Sequence, residues 1–224
     1  MIDLTYEGNV AVVTMRAGEN RLNRDFVDRF NEVLDEVESG PPAAMVTTGE
    51  GKYYSNGLDL EWLSRDNTED MRQFVIDVEK LLARLLRFGR VTVAAMNGHT
   101  FAAGAMIALT HDFRVMREDR GWFCLPEVDI GIPFSDGMDS LIRHKLPQPT
   151  AHIAMVTGHR FTAAEALDSH IANLAVAADQ VVPRAVALAA EYAEKSPSIL
   201  SDIKSRMYAG TIRLLEESEG TEAS

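Results

Sequence analysis

The stretch that most constrains this chain is residues 91–109, Val-Thr-Val-Ala-Ala-Met-Asn-Gly-His-Thr-Phe-Ala-Ala-Gly-Ala-Met-Ile-Ala-Leu. Val91 to Met96 is a continuous apolar run of strand length, the mark of a strand buried on both faces. Asn97-Gly98 breaks it. Ala102-Ala103-Gly104-Ala105 then starts a helix whose first turn carries almost no side chain. Orphan N–H groups and a positive dipole end face outward there, open to a ligand oxygen. An oxyanion hole can be built this way from backbone alone. Taken by itself, such a helix start more often only lets a helix pack closely on a sheet, so the rest of the chain decides.

Before that stretch, Ile2–Tyr6 and Val10–Met15 flank Glu7-Gly8-Asn9 as a hairpin. Phe26, Phe30, Val33, Leu34 and Val37 share one face of an amphipathic helix that Ser39-Gly40-Pro41-Pro42 stops. Ala43–Thr48 reads as a short strand, residues 53–60 as a loop, and Glu69–Arg87 as a second long helix with Phe74, Val78, Leu81, Leu82 and Leu85 inward. After it, Asp112–Met116 reads as a strand and Trp122–Cys124 as an extended piece before Pro126-Glu127. Helical patterns dominate from Met138 on, over 137–146, 148–157, 163–168 and 181–195, with one short strand in Ile171–Val176. Ser196-Pro197 starts a last helix, and Glu216–Ser224 reads as a frayed acidic tail. Strands alternating with helices predict an α/β fold with partly parallel pairing. The break at Pro147-Gln148-Pro149 divides an α/β core, 1–147, from a helical C-terminal region, 148–224.

Chemistry narrows the field. The net charge of −12 argues against nucleic acid and anionic membrane as partners, and an anionic substrate needs a local basic patch. A single cysteine, Cys124, excludes an internal disulfide framework and reads as a small core residue. With no secretory signal at Met1-Ile2-Asp3-Leu4 and no apolar run of spanning length, a cytoplasmic protein is expected. The six histidines show no metal-ligand spacing, and Gly98 and Gly104 do not complete a dinucleotide fingerprint. Gly131 to Gly137 imitates a nucleophile elbow around Ser135, but no strand feeds the turn.

Two segments remain. Ser55-Asn56-Gly57-Leu58-Asp59-Leu60 is a glycine-bearing loop able to present a second backbone N–H. Phe123-Cys-Leu-Pro-Glu127-Val-Asp-Ile-Gly-Ile-Pro133 sets a carboxylate in an apolar run. Such surroundings raise a carboxyl pKa toward neutrality, which suits a general base; the alternative is a solvated loop acid, which Asp129 equally fits.

In this order and spacing, the three segments resemble the crotonase (enoyl-CoA hydratase/isomerase) superfamily over residues 3 to 170. The resemblance implies a crotonase-like (ClpP/crotonase) fold, a superhelix of ββα turns with a helical C-terminal trimerisation region. It implies that the oxyanion N–H groups are those of Leu58 and Ala103, with Ser55, Asn56, Gly57, Asp59 and Leu60 bordering the adenine and pantetheine of coenzyme A. Gly104, Met106 and Phe134 complete the implied substrate site. The hydratase glutamate on the helix falls on Met106, which handles no proton, whereas the second family glutamate is retained as Glu127. Dienoyl isomerases place acids where this chain has Met106 and Ser135, with Asp136 adjacent. One glutamate matches the pattern of Δ3-Δ2-enoyl-CoA isomerases. The implied activity is the shift of a double bond in an enoyl-CoA with Glu127 as base, with no cofactor beyond the substrate's own coenzyme A. The alternatives are hydration, thioester hydrolysis using Asp136, or a non-catalytic CoA-ester binder. Arg21, Lys52 and Lys204 are the candidates for the CoA phosphates. Ile153, Met155, Val156, Leu200, Ile203 and Met207 are apolar beyond the needs of a small core, pointing to a homotrimer or a hexamer of two trimers.

Overall fold

The computed structural model describes residues 2–41, 43–64 and 68–218. Strands β1 (Ile2–Glu7) and β2 (Val10–Met15) form the expected antiparallel hairpin. From β2 onward the main sheet is parallel, running through β3 (Ala44–Gly49), β5 (Thr92–Met96), β7 (Phe113–Arg117) and β9 (Leu174–Val176). A second parallel sheet joins β4 (Tyr53–Ser55), β6 (His99–Phe101) and β8 (Phe123–Cys124). From β3 to β8 each turn of the chain thus gives one strand to each sheet and then a helix, the ββα repeat.

The second sheet corrects the sequence reading, which left 53–60 as loop and assigned nothing to 99–101. Its strands are two or three residues long, too short to show a hydrophobic period. They form because the corners between the sheets stack. A Cβ on Gly98 would lie 2.1 Å from the Lys52 carbonyl oxygen of the preceding corner, so glycine alone fits.

Both faces of the main sheet are covered, which is why β5 reads as uninterrupted apolar sequence. Ala94 and Met96 face a large core shared with α1 (Arg24–Ser39), α3 (Thr68–Leu86) and α4 (Ala103–Thr110), while Val93 and Ala95 face a smaller one under α9 (Val181–Ala190). Asn23 caps α1, its side chain accepting from Phe26 N–H at 3.0 Å, and every apolar residue expected to face inward on α1 and α3 is buried. Short α2 (Leu60–Leu63) and α5 (Glu127–Ile130) flank the site, and α6 (Asp136–Lys145), α7 (Gln148–Thr157) and α8 (Ala163–Asp168) follow. Among the described residues no helix is long and apolar enough to cross a membrane.

The elements after Pro147 join the same two cores. Helix α9 is shorter than the expected 181–195, because hydrogen bonds tighten to i−3 partners at Tyr192, Ala193 and Lys195. The last helix is two, α10 (Pro197–Met207) and α11 (Ala209–Glu216), broken at Tyr208. Leu215 of α11 packs on Gly137 of α6, and Glu216, expected in the frayed tail, ends this helix paired with Arg87 at 2.6 Å. The rest of that tail, 219–224, lies outside the described residues.

Lys204 anchors α10. Its buried ammonium donates to the carbonyls of Phe88 (3.1 Å) and Arg90 (2.7 Å) and pairs with Asp112 at 2.7 Å, while Asp112 also accepts the Thr92 N–H. Lys204→Met should therefore lower the unfolding free energy by roughly 2–3 kcal/mol, below the range for a fully buried pair because Asp112 keeps a solvent-facing edge. Urea denaturation measures this, and a loss within error would show that the pair contributes nothing.

Candidate active site

Two backbone segments meet at the start of α4. Ala103 is its first residue, so its N–H has no intrahelical acceptor, and among the described residues no side chain caps that end. Ala102 enters the helix at φ 50°, an uncommon conformation for a residue with a Cβ, and is held there from both sides. Its N–H donates to the Cys124 carbonyl (3.0 Å) and its carbonyl accepts from Met106 (3.0 Å). Leu58 comes from the other direction. It bridges Leu22 in parallel fashion, Leu22 N–H donating to Gly57 and Asp59 N–H to Leu22. A parallel bridge of this kind leaves the N–H of Leu58 itself on the opposite side. A Cβ on Gly57, where φ is +81°, would stand 2.7 Å from Ala102 Cβ and 3.3 Å from Ala103 N. Only glycine permits this approach of the loop to the start of α4.

Residues 17–22 hold that loop. Buried Asn20, at φ 51°, donates to the Tyr54 carbonyl at 3.0 Å, its carbonyl accepts from Ser55 Oγ at 2.7 Å, and Asn56 is bound to Glu19 by backbone and side chain. Asparagine tolerance of the left-handed region was the available signal.

Strand register brings in the acid. Thr100 pairs with Phe123 and Phe101 with Cys124, so the chain leaving β8 passes the start of α4 and turns at Pro126. Glu127 opens α5. It is buried, and its Oε2 has no hydrogen-bond partner among the described residues. Burial pushes its carboxyl up to about 7, the value the apolar run predicted in kind.

Leu58, Ala103, Met106 and Glu127 line one apolar cavity of about 450 Å³. Helix α3 supplies Met71, Arg72 and Val75 to its wall, and the segment after α5 supplies Ile132, Pro133 and Met138. Glu127 is the one carboxylate among the described lining residues. Asn56 and Leu60 also line the cavity.

Other candidates stand elsewhere. Ser55 is fully buried, its hydroxyl spent on Asn20 and the Gly57 N–H, so it shapes the loop and does not meet a ligand. Asp59 caps α2, accepting from Trp62 N–H at 3.1 Å. At Gly104 a Cβ would lie 2.6 Å from the Ser55 side chain, so this glycine lets α4 pack on β4. Phe134 packs on the main core and leaves the cavity wall to its neighbours. Asp136 is exposed and lines a different depression with Asp139, Arg143 and His144, apart from the cavity that Glu127 lines. Ser135 caps α6 and donates to Glu79, partners that make no nucleophile. Cys124 is a core residue, its thiol donating to the Gly158 carbonyl and pushed up to about 11 by burial. Lys204 is committed to its buried anchor and unavailable to a phosphate. Lys52 is exposed at the corner before β4, and Arg21 pairs with Glu19 at 2.6 Å beside the Leu22–Leu58 bridge.

Comparison with known proteins agrees with this architecture. A family model described as enoyl-CoA hydratase/isomerase matches residues 5–223. Enoyl-CoA delta isomerase 3 of Arabidopsis thaliana is 31% identical, over 96% of this chain and 95% of its own. A probable enoyl-CoA hydratase of Bacillus subtilis is 28% identical, over 99% and 87%. The crystal structure of human mitochondrial delta3-delta2-enoyl-CoA isomerase superposes with a TM-score of 0.89 at 24% identity, covering 97% of this chain and 87% of that one. With its ββα repeat, a family model matching nearly all of it and a relative of matched length, the chain belongs to the enoyl-CoA hydratase/isomerase (crotonase) family.

Proposed function

We propose that this protein is an enoyl-CoA isomerase that moves a double bond from the 3 to the 2 position of an acyl-CoA thioester. The observation that carries the proposal is the single carboxylate, Glu127, on the described wall of an otherwise apolar cavity. The Arabidopsis relative named enoyl-CoA delta isomerase supports it as well. The thioester oxygen accepts from the N–H groups of Leu58 and Ala103, with the positive end of α4 behind them. Glu127 takes a proton from C2, the charge spreads over a dienolate onto that oxygen, and the same carboxyl returns the proton at C4. The proton is moved and not consumed, so one carboxylate suffices. The reaction draws on no cofactor beyond the coenzyme A of the substrate, and Arg21 and Lys52 remain the candidates for its phosphates. Water addition conventionally uses two carboxylates, and Met106 occupies the position of the second.

The exposed apolar residues Ile153, Val156, Ile203 and Met207, each between 44 and 59% accessible, support assembly into a homotrimer or a dimer of trimers. Met155 and Leu200 instead pack on the two cores. Light scattering at micromolar concentration should give three or six copies, and a monomer would refute the assembly.

Ala103→Val should abolish turnover while the protein stays folded. Its branched side chain takes space at the thioester oxygen, where each donor contributes about 3–4 kcal/mol to the transition state. The helix-propensity cost is only about 0.5 kcal/mol, and crowding at this buried position adds roughly 1–3 kcal/mol. Full activity in a folded variant would place the oxyanion hole elsewhere.

Glu127→Gln should lower turnover of 3-enoyl-CoA by ~10²–10⁴-fold with little change in substrate binding. In the wild type the base must be ionised, so kcat/KM should rise with pH through about 7 and level off above it. Hydration of 2-enoyl-CoA should be slow or absent. Hydration rivalling isomerisation would overturn the single-base reading in favour of a hydratase, release of free thiol would indicate a hydrolase, and absence of any turnover would leave a CoA-ester binder.

A further inference from the structure

Helix α3 carries a second buried carboxyl. Met71 and Val75 line the cavity, and Glu79 follows at the same four-residue spacing, one turn further along the same face. Glu79 is fully buried on an otherwise apolar stripe. Its Oε1 accepts a hydrogen bond from Ser135 Oγ, and Ser135 Oγ accepts from Met138 N–H at 3.2 Å. Burial pushes the Glu79 carboxyl above the usual range, and the hydroxyls of Ser135 and Ser218 offset this only in part.

The chain Met138 N–H to Ser135 hydroxyl to Glu79 joins α3 to the start of α6. Both ends of that chain adjoin the cavity: Val75 stands one turn before Glu79, and Met138 itself lines the wall with Ile132 and Pro133. A serine cap alone would fix the first turn of α6 but not its distance from α3. Glu79 sets that distance, because the serine hydroxyl has one proton and Glu79 receives it.

We propose that Glu79 is a specificity-determining positioning residue that, through Ser135, fixes the 131–138 segment as the far wall of the acyl cavity and so sets the chain length accepted. The proposal rests on the acyl-CoA reading of the site, though not on the isomerase chemistry. A short acyl group reaches Glu127 without meeting this wall. A long one lies against Val75 and Met138.

The test compares wild type with Ser135→Ala, Glu79→Gln and Glu79→Leu, each first shown to be folded by thermal melting. Calorimetry measures the binding of butanoyl-CoA and dodecanoyl-CoA, and kinetics separate kcat from KM on 3-hexenoyl-CoA and 3-dodecenoyl-CoA. Ser135→Ala and Glu79→Leu should each weaken the long ester about tenfold relative to the short one, the loss expected of one buried hydrogen bond to a carboxyl. For turnover the loss should fall on the KM of the long substrate, with kcat on the short one unchanged. Glu79→Gln keeps an acceptor for Ser135 and should retain the wild-type preference, and Ser135→Ala combined with Glu79→Leu should be no worse than either alone. Equal losses for both chain lengths, no loss in Ser135→Ala, or additive effects in the double variant would overturn the proposal. A wild type that binds both esters but isomerises neither would remove the isomerase reading and leave the binding comparison to decide on Glu79. If the wild type binds neither ester, both fall.

Discussion

The geometry of the site depends on one contact between backbones. Where Gly57 lies against Phe101–Ala103 there is no room for a Cβ, and the cavity-lining residues Leu58 and Ala103 come from the two sides of that contact. Nothing in it is a strong interaction by itself. It is held by what surrounds it: the Asn20 clamp on the 53–56 backbone, the bridge from Leu22, and the hydrogen bond from Ala102 to Cys124. The left-handed conformations at Asn20 and Ala102 mark where the surrounding structure bears local strain to keep that contact in place.

Burial acts in opposite ways on the charged groups of this chain. Glu127 sits in an apolar wall with one oxygen unpartnered among the described residues, and burial raises its affinity for a proton. Asp112 and Lys204 are also withdrawn from water, but each has the other and a backbone partner, so the pair is structural. Asp136, close in sequence to the cavity wall, is simply solvated. The difference between a buried acid that holds its proton tightly, an anchor and a surface acid lies in the partners that the fold provides.

The helices after Pro147 complete the core as well as presenting surface. Helix α9 closes the outer face of the main sheet, and α11 turns back to pack on α6 against Gly137. The wall of the cavity formed by 131–138 is therefore backed on its far side by the end of the chain. Among the apolar residues left exposed are Ile153 and Val156 on α7 and Ile199, Ile203 and Met207 on α10.

The sequence by itself determined the strand-and-helix alternation, the inward faces of α1 and α3, the buried nature of β5 and the three segments that make the site. Those features are local: a period of 3.6, a run covered on both faces, or a small-residue helix start shows in the residues themselves. It did not determine the second sheet, whose strands are too short to carry a pattern and exist because stacked corners bring them together. Nor did it separate Glu127 from Asp136, or show that Lys204 and Ser55 are spent on internal partners. A side chain's partner is set by which distant segment passes beside it. Only the register of β6 on β8, and the approach of Gly57 to Ala103, decided which carboxylate and which N–H groups share one cavity.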